Sequence, residues 1–67
     1  MKYTITFCLN GNYNCIEMEG IFNALSFFRH LVITNEGLSE CYVYPSENAY
    51  NVRYAIAQYK YSSKNPV

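Results

Sequence analysis

Residues 2 to 9 alternate without interruption, with Tyr3, Ile5, Phe7 and Leu9 on one side and Lys2, Thr4, Thr6 and Cys8 on the other. A period of two built from aromatic and β-branched residues predicts a half-buried strand. Asn10-Gly11 follows directly, and this pair suits a tight hairpin turn because both central positions need positive φ. Tyr13 to Glu19 then alternates again, with Ile16 and Met18 on one face and Cys15, Glu17 and Glu19 on the other. The start of the chain is thereby committed to an antiparallel hairpin with one apolar side, and the rest must cover that side.

Two hairpin registers keep the same residues inside. A two-residue turn at Asn10-Gly11 sets Ile5 opposite Ile16, Tyr3 opposite Met18 and Lys2 opposite Glu19, the last a favourable charge pair. A turn at Gly11-Asn12 would set Phe7 opposite Ile16 and Cys8 opposite Cys15. A slip of one residue is forbidden, because it carries Glu17 to the core face. The Asn-Gly register is the expected one.

Gly20 interrupts the alternation, and Ile21 to Thr34 predicts a helix. Ile21, Ala24, Leu25, Phe28, Leu31 and Val32 recur at intervals of three and four and form the expected core stripe. No good N-cap residue precedes this segment, and Asn35 and Gly37 are candidates for a left-handed helix end. The helix also carries apolar residues off that stripe: Phe22 and Ile33 share a face with Ser26 and Arg29, and Phe27 shares another with Asn23, His30 and Thr34. Such residues on a helix packed over a sheet are expected to meet something beyond the domain.

Glu40 to Tyr44 predicts a third strand, with Cys41 and Val43 opposite in phase to Tyr42 and Tyr44. A polar turn at residues 45 to 49 follows. Residues 52 to 61 are expected to form a fourth strand on their Tyr content, against a rival helix capped by Ser46. The fold class is therefore α+β, ββαββ, with a single four-stranded antiparallel sheet and one helix on one face. Residues 1 to 61 form one small domain, and residues 62 to 67 form a flexible tail. The opposite sheet face is left with Thr4, Thr6, Cys8, Cys15 and several Tyr.

Composition narrows function by exclusion. With 67 residues, 51% hydrophobic and 15% charged, the chain has the makeup of a folded domain of marginal size. Five Lys and Arg balance five Glu, so no basic face for a phosphate backbone is expected, and nucleic acid is disfavoured. The first residues carry no apolar signal region, and no apolar run approaches the length of a membrane span. Three irregularly spaced cysteines suit free thiols in a cytoplasm. Asn and Tyr are abundant, and with Ile, Lys and Phe they are specified by A/T-rich codons, which points to a low-GC bacterium or one of its mobile elements.

Catalytic chemistry finds little footing. The single His30 lies mid-helix beside Arg29, and Glu17 and Glu19 read as a solvated strand face rather than an acid–base pair. Cys8, Cys15, Cys41 and His30 match a Cys₃His ligand set by type, but their spacing resembles no zinc module, so neither metal nor cofactor is expected. There is no Gly-rich phosphate loop.

Eight Tyr and four Phe in so short a chain suit an interface as well as a core. The candidate protein-binding residues are Phe22, Phe27, Arg29 and Ile33 on the helix, and Tyr42, Tyr44 and Tyr59 on the sheet. The expected function is a non-enzymatic protein-binding module, a homodimer. The setting that fits its size and class is a phage or mobile-element inhibitor that occludes a bacterial defence or nuclease complex. The alternatives are an oligomer that sequesters a planar ligand such as a nucleotide, with Arg29 or Arg53 on its phosphate, and a weak single-stranded nucleic-acid binder.

Overall fold

The computed structural model describes residues 1–61; the expected tail at 62–67 lies outside the described residues. Strand β1 (Lys2–Leu9) pairs with β2 (Asn12–Glu19), helix α1 (Ile21–Thr34) follows, and β3 (Leu38–Pro45) and β4 (Ala57–Lys60) complete the sheet. The order is β2-β1-β3-β4 with every pair antiparallel, and α1 covers one face. This is the expected ββαββ fold.

The hairpin takes the Asn-Gly register: Ile5 faces Ile16, Tyr3 faces Met18 and Lys2 faces Glu19. Asn10 and Gly11 have φ of 53° and 83°, the double left-handed geometry that matches the twist of the two strands. The Glu19 carboxylate is paired with the N-terminal ammonium rather than with Lys2, and this contact holds its pKa below the usual carboxylate value.

The core sits between α1 and the β1–β3 pair. Ile5 and Val43 face each other there and are fully buried with Cys41, and Tyr3, Ala24, Leu31 and Leu38 close around them. Putting β1 and β3 at the centre of the sheet explains this, since only central strands are covered on both edges. A bulge falls between Cys8 and Leu9, where the partner on β3 steps from Glu40 to Leu38. Ser39 is the extra residue, and its hydroxyl donates to the Cys8 carbonyl at 3.4 Å. Gly37 lies beside it against the Asn10 side chain, which would have to turn aside to admit a Cβ there.

The helix spans the expected residues, but its inward face is rotated. Phe27 turns toward the sheet, half-buried, with its ring edge-on to Phe7 at a centroid distance of 6.1 Å. Ile21, expected in the core, is exposed at the first turn. Asn35 is not left-handed: it is extended, and both its backbone N–H and its side-chain amide donate to the Leu31 carbonyl, at 3.1 and 3.3 Å.

The segment after Pro45 departs most from expectation. The fourth strand occupies only Ala57–Lys60, and neither a strand over 52–56 nor the rival helix forms. Two 3₁₀ turns, Ser46–Asn48 and Val52–Tyr54, stand there instead. The cause lies in the ladder. The Tyr61 N–H donates to the Ser39 carbonyl at 2.8 Å, so the odd residues of β3 turn their backbone groups toward β4. Pro45 is the next odd residue after Val43, and it has no N–H to donate. Pairing therefore ends at Val43–Ala57, and the connection folds over the sheet face that α1 leaves open.

Candidate functional site

The open sheet face is organised in cross-strand rows. Tyr13, Cys8 and Glu40 form one, and Cys15, Thr6 and Tyr42 form the next. Thr4 lies opposite Tyr44 in the row beyond, where both are buried under the 3₁₀ connection. The Thr4 hydroxyl lies 2.9 Å from the Ser46 hydroxyl, which ties the start of that connection to β1.

Tyrosines gather on this face. The rings of Tyr42 and Tyr44, two apart on β3, stack at 6.0 Å with an interplanar angle of 25°. Tyr50 arrives from the connection and tilts over Tyr44 at 6.3 Å. Its hydroxyl is hydrogen-bonded to the Cys15 sulfur on β2 at 3.2 Å, which raises the Tyr50 phenol above its ordinary pKa. Tyr50 adopts φ 68°, a left-handed conformation uncommon for a bulky residue, so the surrounding contacts hold the ring there against a backbone preference of about 1–2 kcal/mol. Tyr13 closes the far wall, and the negative charge of Glu40 raises its pKa. Together with Thr6, Asn14, Cys15 and Glu40 these four tyrosines line a groove of about 310 Å³. Among the described residues, no Lys or Arg lines it.

The expected site residues divide into three sets. Tyr42 and Tyr44 do line the groove. Tyr59 does not: it faces Cys41, which places it under α1, packed against the core. Phe27 is likewise half-buried against the core, on the α1 side of the sheet. Phe22 and Ile33 are 82% and 70% exposed on the outer side of α1, where Arg29 is also exposed. This ridge and the groove lie on opposite sides of the sheet. Tyr13 and Cys15 were legible by parity with Thr6 and Tyr42 once the register was known. Tyr50 carried no local signal, because only the fold of the 3₁₀ connection brings it to β2.

The cysteines separate in the same way. Cys8 and Cys15 belong to the open face, and Cys41 lies beneath α1, so the sheet stands between it and them. All three are free thiols, with Cys8 and Cys41 buried and Cys15 exposed. Burial pushes the Cys41 thiol up to about 11. In the native protein near neutral pH, an aromatic disulfide reagent is expected to label one thiol rapidly, Cys15, and the other two only after denaturant is added. Rapid labelling of Cys41, read by peptide mass, would contradict the packing described above.

No family model matches the chain, and no curated protein or solved structure is significantly similar to it. No helix among the described residues is long and apolar enough to cross a membrane.

Proposed function

We propose that this protein is a small non-enzymatic module that binds another protein and acts by occlusion. The tyrosine groove is the observation that carries the reading. Four tyrosines converge on one open face, two of them well packed and two, Tyr13 and Tyr50, 72% and 68% exposed. Surfaces rich in Tyr and poor in charge are what interface centres use, since each ring offers large contact area at small entropic loss.

The outer ridge of α1 supports self-association. Two copies crossing antiparallel about a two-fold axis would set Phe22 of one against Ile33 of the other, and Arg29 against Ser26. No like charges meet in that arrangement, and the two apolar anchors lie about 16 Å apart along the helix at 1.5 Å rise per residue. A homodimer joined through this ridge leaves both grooves free for an external partner.

The setting this reading favours is a bacterial cytoplasm, with the protein supplied by a phage or mobile element against a defence or nuclease complex. Small size, neutral charge and the abundance of residues specified by A/T-rich codons support it. Phage plating on strains that each carry one defence system is the test. Expression of the protein is expected to raise plating efficiency on at least one strain. Unchanged plating across the panel would count against the setting.

Sequestration of a planar ligand is the second reading, favoured by the stacked Tyr42–Tyr44 pair. Its phosphate-bearing form has poor support. Arg29 lies across the sheet on α1, Arg53 does not line the groove, and Glu40 does. The same charge opposes a nucleic-acid strand there.

A further inference from the structure

We infer that the tyrosine groove receives a cationic side chain, an arginine presented by a protein partner. The inference rests on the protein-binding reading and names the chemistry its surface selects. A tyrosine ring presents a negative face and attracts a cation placed over it, most strongly where water is excluded. Tyr42 and Tyr50 flank the buried Tyr44 at ring distances of 6.0 and 6.3 Å, and the exposed rings of Tyr50 and Tyr13 offer their faces to the groove. Among the described residues, Glu40 is the one charged residue of the lining. Lys60 faces Glu40 from β4, yet the two form no ion pair, and Lys60 does not line the groove.

Alternative occupants fit less well. An anion would meet Glu40. An apolar side chain would remove water from Glu40 and return no hydrogen bond, which is unfavourable for a carboxylate, and a neutral polar one would leave its charge unbalanced. A guanidinium satisfies both features, because its plane stacks on aromatic faces while its N–H groups reach a carboxylate in pairs. The volume, about 310 Å³, is at the small end of the range for ligand pockets and suits one long side chain rather than a dinucleotide. The left-handed Tyr50 adds an independent indication, since strained backbone held by its surroundings concentrates at binding sites.

The test is an amide NMR titration of the full chain with N-acetyl-arginine-N-methylamide, and in parallel with the citrulline analogue, which keeps the shape and loses the charge. Saturable shifts confined to Tyr13, Cys15, Glu40, Tyr42, Tyr44 and Tyr50 are expected with arginine, with citrulline about ten-fold weaker, a difference of about 1.4 kcal/mol. Glu40→Gln is expected to bring arginine down to the citrulline level. Tyr13→Ala, at an exposed position, weakens both without disturbing the fold. Equal binding of the two ligands, shifts elsewhere on the molecule, or no saturable shift would overturn the inference. The titration needs no biological partner. Failure here with protection intact in the plating assay would remove the arginine and leave the binding module. Arginine selectivity without protection would keep the arginine site and remove the phage or mobile-element setting.

Discussion

Ile5→Ala is expected to leave the protein largely unfolded at growth temperature. Ile5 is fully buried at the centre of β1, between Ile16 on β2 and Val43 on β3, under α1. Truncating a buried Ile to Ala costs about 2–5 kcal/mol, the lost transfer energy plus the cavity left behind. A single core of this size supplies only about 3–5 kcal/mol of net stability. The substitution therefore removes most or all of the margin. Ile16→Ala, in the same row but on the exposed edge strand, is expected to lose a small part of that. Urea unfolding followed by far-ultraviolet circular dichroism separates the two. A midpoint for Ile5→Ala equal to that of the parent chain would mean that the alternating face of β1 is not the core.

The second large effect divides two phenylalanines that lie five apart on one helix. Phe27→Glu is expected to destabilise the fold by about 2–4 kcal/mol, because it removes the edge-on contact with Phe7 and sets a carboxylate against apolar side chains. Phe22→Glu is expected to change stability by less than about 0.5 kcal/mol, as surface substitutions do. Its effect belongs to association instead. Light scattering across a dilution series, under reducing conditions, should give a dimer mass for the parent chain and a monomer mass for Phe22→Glu. A folded Phe22→Glu that remains dimeric would move the self-contact away from the α1 ridge. A stable Phe27→Glu would mean that the helix is phased differently on the sheet.

The contrast between Phe22 and Phe27 shows where periodicity stops being informative. Successive residues on a helix turn by about 100°, so a stripe defined by Ala24, Phe28 and Leu31 has flanks, and Phe27 lies on one of them. Whether a flank is covered depends on the side chain across from it, here Phe7, and no spacing rule holds that information. Ile21 fails in the opposite sense: it belongs to the stripe by phase but stands in the first turn, exposed. Tyr59 illustrates the same limit in a strand. Its face follows from the pairing of Cys41 with Tyr59, and that register was settled only when β4 docked on β3.

The connection between β3 and β4 is the part of the site least legible from its own residues. Val52 to Ile56 alternates as a strand does, yet the ladder ends before it, because Pro45 stands where a donor is required. Once unpaired, the segment takes two 3₁₀ turns and crosses the open face. Tyr50 reaches Cys15 by that route, at a separation of thirty-five residues.

Local chemistry by itself determined the hairpin and its register, the extent of the helix and the ββαββ order. Each of these rests on interactions between near neighbours: the positive-φ preference of Asn-Gly, a period of two, and a period near 3.6. Tertiary packing alone decided the bulge at Ser39, the side of the sheet to which Phe27 and Tyr59 belong, and the carriage of Tyr50 to the groove. Those depend on which surfaces meet after the chain has closed on itself, and a contact between residues far apart in sequence leaves no periodic trace at either of them.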